Sequence, residues 1–280
     1  MLSSVDSVSA RGLRLLRMWR RIPTQSYIAL LVVLVGFLFV DRSRNSAGFV
    51  QAVLIWCAAS CLIVGIAYAA NWPWIFGKRM DGTISWLRAL PVLPYQWFFW
   101  LYWCCERRIG GLRPYDEVAP GLFVGRRVLI EELPPRVDLV VDLTCEFAEV
   151  EAVRRHCAYR CLPTLDASVP PSEEELGLLM RDIAAHPGPV LLHCASGRGR
   201  AVAVAAGVLV LRGICADVTA ALCRIRSVRP GIRPTPTHRL VIARVTTKIL
   251  REKRDNCIAR SRESIGSSDQ PDYGGSTVIA

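Results

Sequence analysis

Hydrophobic positions crowd into the first hundred residues of the chain. Residues 27–40 form an apolar run without a charge, bounded by Arg21 on one side and by Asp41 and Arg42 on the other. Residues 49–70 form a second, bounded by Trp72, Trp74, Lys78 and Arg79. The second run is long enough to cross a bilayer as a helix, and Gln25 and Ser26 extend the first toward that length. Tryptophans beside a basic pair fit the headgroup level. With only 41–45 between them, the runs predict a transmembrane helical hairpin over 25–78. A third stretch, 84–105, holds Trp86, Trp97, Phe98, Phe99, Trp100, Tyr102 and Trp103, interrupted by Arg88, Pro91 and Pro94. A charge and two prolines among aromatics predict an interfacial linker over 79–113, with a third span as the alternative.

Beyond Pro114 the period shortens. Residues 122–125, 137–143, 159–165 and 190–192 read as strands, the second and fourth continuous enough to be buried on both faces. Ser172 opens a helix: Glu175 completes a capping box, Leu176, Leu179, Met180 and Ile183 form its apolar stripe, and Pro187 breaks it. Residues 201–211 predict a buried helix stopped at Gly213. Strands alternating with helices predict an α/β domain over 114–252, a central, mainly parallel sheet flanked by helices. The polar 253–280 segment reads as a disordered tail.

Charge fixes an expected orientation. Arg11, Arg14, Arg17, Arg20 and Arg21 lie in 1–24. A basic segment before a span stays cytoplasmic, although the same spacing would suit a helix lying on anionic lipid. Two spans then return the chain to the cytoplasm, where Arg107, Arg108 and Arg113 also belong. The net charge of +11 is accounted for by such flanks, so a membrane and no nucleic acid is expected as partner. Eleven cysteines, an odd number without regular spacing, exclude a disulfide framework and fit a reduced compartment. Cys145, Cys157, Cys161, Cys215 and Cys223 read as core residues, with Cys161 also considered as a resolving thiol.

The chemistry concentrates in His193-Cys194-Ala195-Ser196-Gly197-Arg198-Gly199-Arg200, between a buried strand and a buried helix. A loop entering a helix N-terminus turns amides inward and makes an anion nest. Cys194 begins the loop, where nest and helix dipole favour a thiolate nucleophile. Gly197 and Gly199 let the backbone approach a phosphate. Arg200 can grip two phosphoryl oxygens with its planar fork. His193, Ala195, Ser196, Gly197, Arg198 and Gly199 are the expected substrate-binding positions, with His193 orienting the loop.

This cysteine, five residues, then arginine resembles the signature of the tyrosine and dual-specificity phosphatase superfamily. Residues 120–126, Val141-Asp142-Leu143-Thr144 with Glu146, and Arg229-Pro230-Gly231-Ile232 also resemble family segments. The resemblance covers about 115–250. It implies a dual-specificity-phosphatase-like fold and a two-step reaction through a cysteinyl-phosphate, without metal or cofactor. It implies Asp166 as general acid, with Asp142 as the runner-up. One residue departs from the pattern: Ala201 stands where the family has Ser or Thr, which implies slow hydrolysis of the phosphoenzyme. Tandem spans before such a domain resemble membrane-attached dual-specificity phosphatases. The implied substrate is a phosphoprotein. The alternatives are a phospholipid (phosphatidylglycerophosphate- or inositide-like), favoured by the extra charge of Arg198, and a weakly active phosphate-binding module.

Overall fold

The computed structural model describes residues 24–266 apart from 110 and 112. The basic segment expected over 1–24 lies outside them except for its last residue. The two apolar runs become helices α1 (Thr24–Arg44) and α2 (Gly48–Ala70). They pack side by side through small residues: a Cβ on Gly65 would meet Val33 Cγ2 at 2.4 Å, and one on Gly36 would meet Cys61 Cβ at 3.1 Å. Glycine at both contacts lets the two helix backbones approach closely. Leu38, Phe37 and Phe49 remain 69%, 66% and 83% exposed. Among the described residues, α2 is the one helix long and apolar enough to cross a membrane, with mean hydropathy 2.3.

Asn71 ends α2 in the left-handed conformation (φ 54°), with the Trp72 amide returning to Ala67 O at 2.8 Å. The chain then folds back through a Lys78–Ile84 bridge whose turn is held by Asp81 accepting from Thr83 N. The expected linker is therefore well structured. About half of it is helix α3 (Leu93–Ile109), which accepts Pro94 because a first-turn proline has no lost hydrogen bond. Gln96 and Trp103 face inward; Trp97, Phe98, Trp100, Leu101 and Tyr102 face outward. Trp56 Nε1 donates to Leu90 O, and the Tyr95 amide to Ser60 Oγ, fastening this segment to α2.

The domain is built on a mixed five-stranded sheet: β1 (Tyr115–Ala119), β2 (Leu122–Arg126), β3 (Leu139–Thr144), β4 (Ala158–Thr164) and β5 (Val190–Cys194), in the order β1-β2-β5-β3-β4. Only β1 and β2 pair antiparallel; the other neighbours are parallel. β3 and β5 are buried at every position, as central parallel strands covered on both faces must be. Five helices complete the domain: α4 (Glu151–His156), α5 (Glu173–Ala185), α6 (Arg200–Leu211), α7 (Val218–Val228) and α8 (Pro236–Gly266). Ser172 caps α5 as its sequence implies, accepting from the Glu175 amide at 3.1 Å.

The main core lies between the sheet and α5–α8, with α6 at its centre, buried from Arg200 to Val210. Each fully buried aliphatic side chain contributes roughly 1.5–3 kcal/mol by leaving water. Gly207 lets α5 approach, since a Cβ there would meet Met180 Cε at 2.2 Å. A smaller apolar cluster of Val128, Val137, Val140, Val153 and Leu191 covers the opposite face. The expectation of a disordered tail from 253 is corrected in part: α8 runs on to Gly266. Val241, Ile242, Val245 and Ile249 dock its first half. Beyond them Arg, Lys and Glu are good helix formers, and the helix continues although residues 253–258 are exposed.

Candidate active site

The parallel strands deliver the chemistry at their C-terminal ends. Cys194 is the last residue of β5 and only 2% exposed; Arg200 is the first of α6 and equally buried. Between them, four successive carbonyls are turned outward and taken by donors. Ala195 O accepts from the Arg127 amide (3.2 Å), Arg198 O from the Arg233 amide (2.7 Å), and Gly197 O from Arg229 Nε (2.9 Å). Ser196 O faces Arg229 Nη2 at 3.4 Å. In a trans peptide the next N–H points opposite to the carbonyl, so the amides of residues 196–199 face the loop interior. That concavity is an anion nest. It requires glycine at 197, where φ is +67° and a Cβ would lie 2.3 Å from Gly125 C.

Arg200 is fixed along one edge. Its Nη1 lies 2.6 Å from Thr164 O, 3.2 Å from Leu143 O, and 3.0 and 3.1 Å from the two Glu146 carboxylate oxygens. Nε has no hydrogen-bond partner among the described residues, and Nη2 makes only an ion contact to Asp166 Oδ1 at 3.1 Å. The free edge can take two oxygens of a tetrahedral anion. Burial opposes the guanidinium charge, but the neighbouring Glu146 and Asp166 carboxylates keep it firmly protonated.

Asp166 follows β4 and is half exposed, beside Arg200 at the mouth of the loop. Its own loop is held in an uncommon shape, with Ala167 at φ 55°. Two distant segments hold it. His238 Nε2 donates to Ser168 O at 2.6 Å. Asn71 Nδ2 donates to Val169 O at 3.1 Å and Asn71 Oδ1 accepts from Ser168 Oγ at 2.8 Å. His238 Nδ1 accepts from the Thr235 amide at 3.0 Å, so the ring is the neutral Nε2–H tautomer. Burial pulls its pKa from the ordinary 6.5 down to about 4.

His193 is fully buried behind the loop, Nε2 3.0 Å from Glu149 Oε2 and Nδ1 3.9 Å from Asp142 Oδ1. Asp142 accepts from buried Lys78, from Tyr159 Oη (2.8 Å) and from the Thr144 amide (2.7 Å) and hydroxyl (2.8 Å). Burial works against its ionisation, yet Lys78 and His193 hold it well below the usual carboxylate range. A carboxylate so enclosed has no route to a substrate, which removes it as the runner-up acid. Donor atoms of Asp142, Glu149 and His193 lie within 4.8 Å of one another, but the Lys78 ammonium already stands where a cation would neutralise Asp142. Cys161, on β4 beside Asp142, is no resolving thiol by chemistry: burial and that carboxylate push it up to about 12.

Arg198 is not free to add charge to the loop, because its Nη1 pairs with Glu106 of α3 at 2.9 Å. Ala195 packs with Trp103 and Phe147, and Arg127 lies over the Trp103 ring at 5.2 Å. A cleft of about 430 Å³ beside Arg127, Glu146 and Phe147 is walled by Trp97 and Trp100. The sequence reading thus collects Cys194, the loop, Arg200 and Asp166 into one place. It misses Asn71, Lys78, Glu106, Glu149, Arg233 and His238 as supports. Glu146 and Arg229 lie in segments that resemble the family, but nothing in their sequence context marks what they hold. Arg229, 2% exposed, bonds Asp116 Oδ2 at 2.7 Å as well as the loop carbonyls.

Residues 138–248 match the family model described as protein-tyrosine phosphatase. A comparison with curated proteins finds no match. Similar solved structures include a mouse putative dual specificity phosphatase complexed with zinc tungstate (22% identity, 50% of this chain and 91% of that one, TM-score 0.43). Others are the human tyrosine phosphatase-like serine/threonine/tyrosine-interacting protein (18%, 49% and 99%, 0.44) and PTPMT1 in complex with PI(5)P (18%, 50% and 99%, 0.43).

Proposed function

The domain belongs to the cysteine-dependent tyrosine and dual-specificity phosphatase superfamily, and we propose that it hydrolyses phosphate monoesters at a membrane surface, phosphoproteins first among them. The observation that carries this reading is the pairing of an inward-facing amide nest with the free edge of Arg200, both within reach of Cys194. The Cys194 thiolate attacks phosphorus, and the P–O bond to the leaving group breaks. Amides 196–199 and Arg200 Nε and Nη2 take the three equatorial oxygens, whose charge is greatest in the transition state. Asp166 gives its proton to the departing oxygen, then accepts one from the water that cleaves the S–P bond. Glu146 acts on Arg200, holding the fork at the right angle. Cys194 is 2% exposed and packs with the main core, which keeps bulk water from the sulfur.

The membrane reading rests on α2, on α1 packed beside it, and on their exposed apolar surface. In it the hairpin spans, α3 lies at the interface with its aromatic face in the headgroups, and the catalytic domain is cytoplasmic, where the thiol stays reduced. A phospholipid monoester is the second reading, favoured by the exposed Trp97, Phe98 and Trp100 beside the cleft.

The test uses the full chain in nanodiscs, with a phosphotyrosine peptide, a phosphoserine peptide and anionic phospholipid monoesters as substrates. Release that Cys194→Ser abolishes supports the enzyme, and the preferred substrate chooses between protein and lipid. A folded chain that binds these phosphates but releases none would replace the enzyme by a phosphate-binding module.

A further inference from the structure

Asn71 lies at the junction between the apolar helix pair and the catalytic domain. Its backbone ends α2 in the left-handed conformation, which Asn tolerates better than most residues. Its side-chain amide reaches across to the segment after Asp166 and is used at both ends. The NH2 donates to Val169 O at 3.1 Å, and the oxygen accepts from Ser168 Oγ at 2.8 Å. The same segment is fixed from the other side by His238. Seven residues on, Lys78 enters the domain core and takes Asp142 and Thr144. Rotation of α2 against the domain is thereby opposed at two points, one of them on the loop that carries Asp166.

We infer that Asn71 is a positioning residue for the general-acid loop, so that the end of the apolar helix pair is a working part of the phosphatase rather than a tether. The inference rests on Asp166 being the acid. Without the two amide bonds, Ala167 has less to hold it at positive φ, and the Asp166 carboxyl spends less time at the leaving oxygen. The nest, Cys194 and Arg200 do not touch Asn71 and keep their geometry.

An acid is needed in proportion to the basicity of the leaving group. The full chain in detergent is therefore assayed on p-nitrophenyl phosphate, whose phenolate leaves easily, and on phenyl phosphate, whose phenolate leaves poorly. Asn71→Gly keeps the left-handed backbone and removes the amide. It is expected to lower kcat/KM, which reports formation of the phosphoenzyme, on phenyl phosphate by about tenfold or more, and on p-nitrophenyl phosphate several-fold less. Asn71→Asp keeps the acceptor for Ser168, loses the donor for Val169, and should fall between. Asp166→Asn calibrates the assay with a larger loss of the same kind, toward about 10²-fold. Equal losses on both substrates, or no loss from either Asn71 variant, would overturn the role of Asn71. An Asp166→Asn variant without leaving-group dependence would instead overturn the assignment of the acid. If Asn71→Gly fails to fold, Ser168→Ala removes one of the two contacts from the other side and must show the same leaving-group pattern at smaller size.

Discussion

Replacing His238 by glutamine should make the fold less sensitive to acid. In the native chain the ring is enclosed, 3% exposed, with Nδ1 accepting from the Thr235 amide and Nε2 donating to Ser168 O. A second proton would have to sit on Nδ1, facing an N–H that it cannot bond. Arg200 adds to the cost, and the Ser168 carbonyl and Asp166 oppose it only in part. The folded pKa of about 4 lies below the unfolded value near 6.5. Between these pH values the unfolded chain binds a proton that the folded chain refuses. Stability is therefore full above pH 6.5 and is lost as pH falls toward 4. The interval corresponds to about 3 kcal/mol in all, about 2 kcal/mol of it gone by pH 5. Glutamine keeps the donor to Ser168 and cannot titrate. Its loss of the Thr235 contact should cost about 1 kcal/mol at pH 7.5. Urea unfolding of the full chain in mild detergent, followed by tryptophan fluorescence at pH 7.5 and pH 5, measures both. The wild type should lose about 2 kcal/mol more than His238→Gln between the two pH values. Identical pH dependence in the two proteins would refute the assignment of His238 as a neutral brace.

Two further substitutions address the loop. Ala201→Ser places a hydroxyl at the start of α6, where sulfur must leave phosphorus; stopped-flow assays should show faster breakdown of the phosphoenzyme with little change in its formation. Arg229→Met removes one of the two arginines that hold buried Asp116, leaving Arg113 at 2.7 Å, and removes the donors to Ser196 O and Gly197 O. It should cost about 1–3 kcal/mol in urea unfolding and weaken binding of inorganic phosphate, because the outward carbonyls lose their hold.

The parts of this structure that sequence makes legible are those decided by neighbours. β3 and β5 show as apolar runs, α5 carries its cap in Ser172 and Glu175, and the nest is contiguous from Cys194 to Arg200. β1 was not read, because Tyr-Asp-Glu-Val-Ala buries every other position poorly and its register slips between Glu117 and Ala119. The second half of α8 reads as a tail because its charges cannot build a core, although they propagate a helix well. The supports of the site were hidden for a different reason. Asn71 meets Ser168 and Lys78 meets Asp142 across long stretches of chain, with no periodicity to mark them. Glu106 pairs with Arg198 from a helix whose aromatic outer face dominates its pattern. The boundary drawn at 114 therefore divides a site that the fold assembles from both sides of it.

The central claim is that Cys194 carries the phosphoryl group during turnover. Its most direct test is rapid acid quenching of the full chain with an active phosphate monoester, followed by digestion and mass spectrometry of the peptide holding residues 193–200. A phosphoryl group is expected on the Cys194 sulfur, absent in Cys194→Ser and, with p-nitrophenyl phosphate as substrate, increased when Asp166→Asn slows the second step more than the first. Phosphate release that proceeds without any modified Cys194 peptide, or that survives Cys194→Ser, would contradict it.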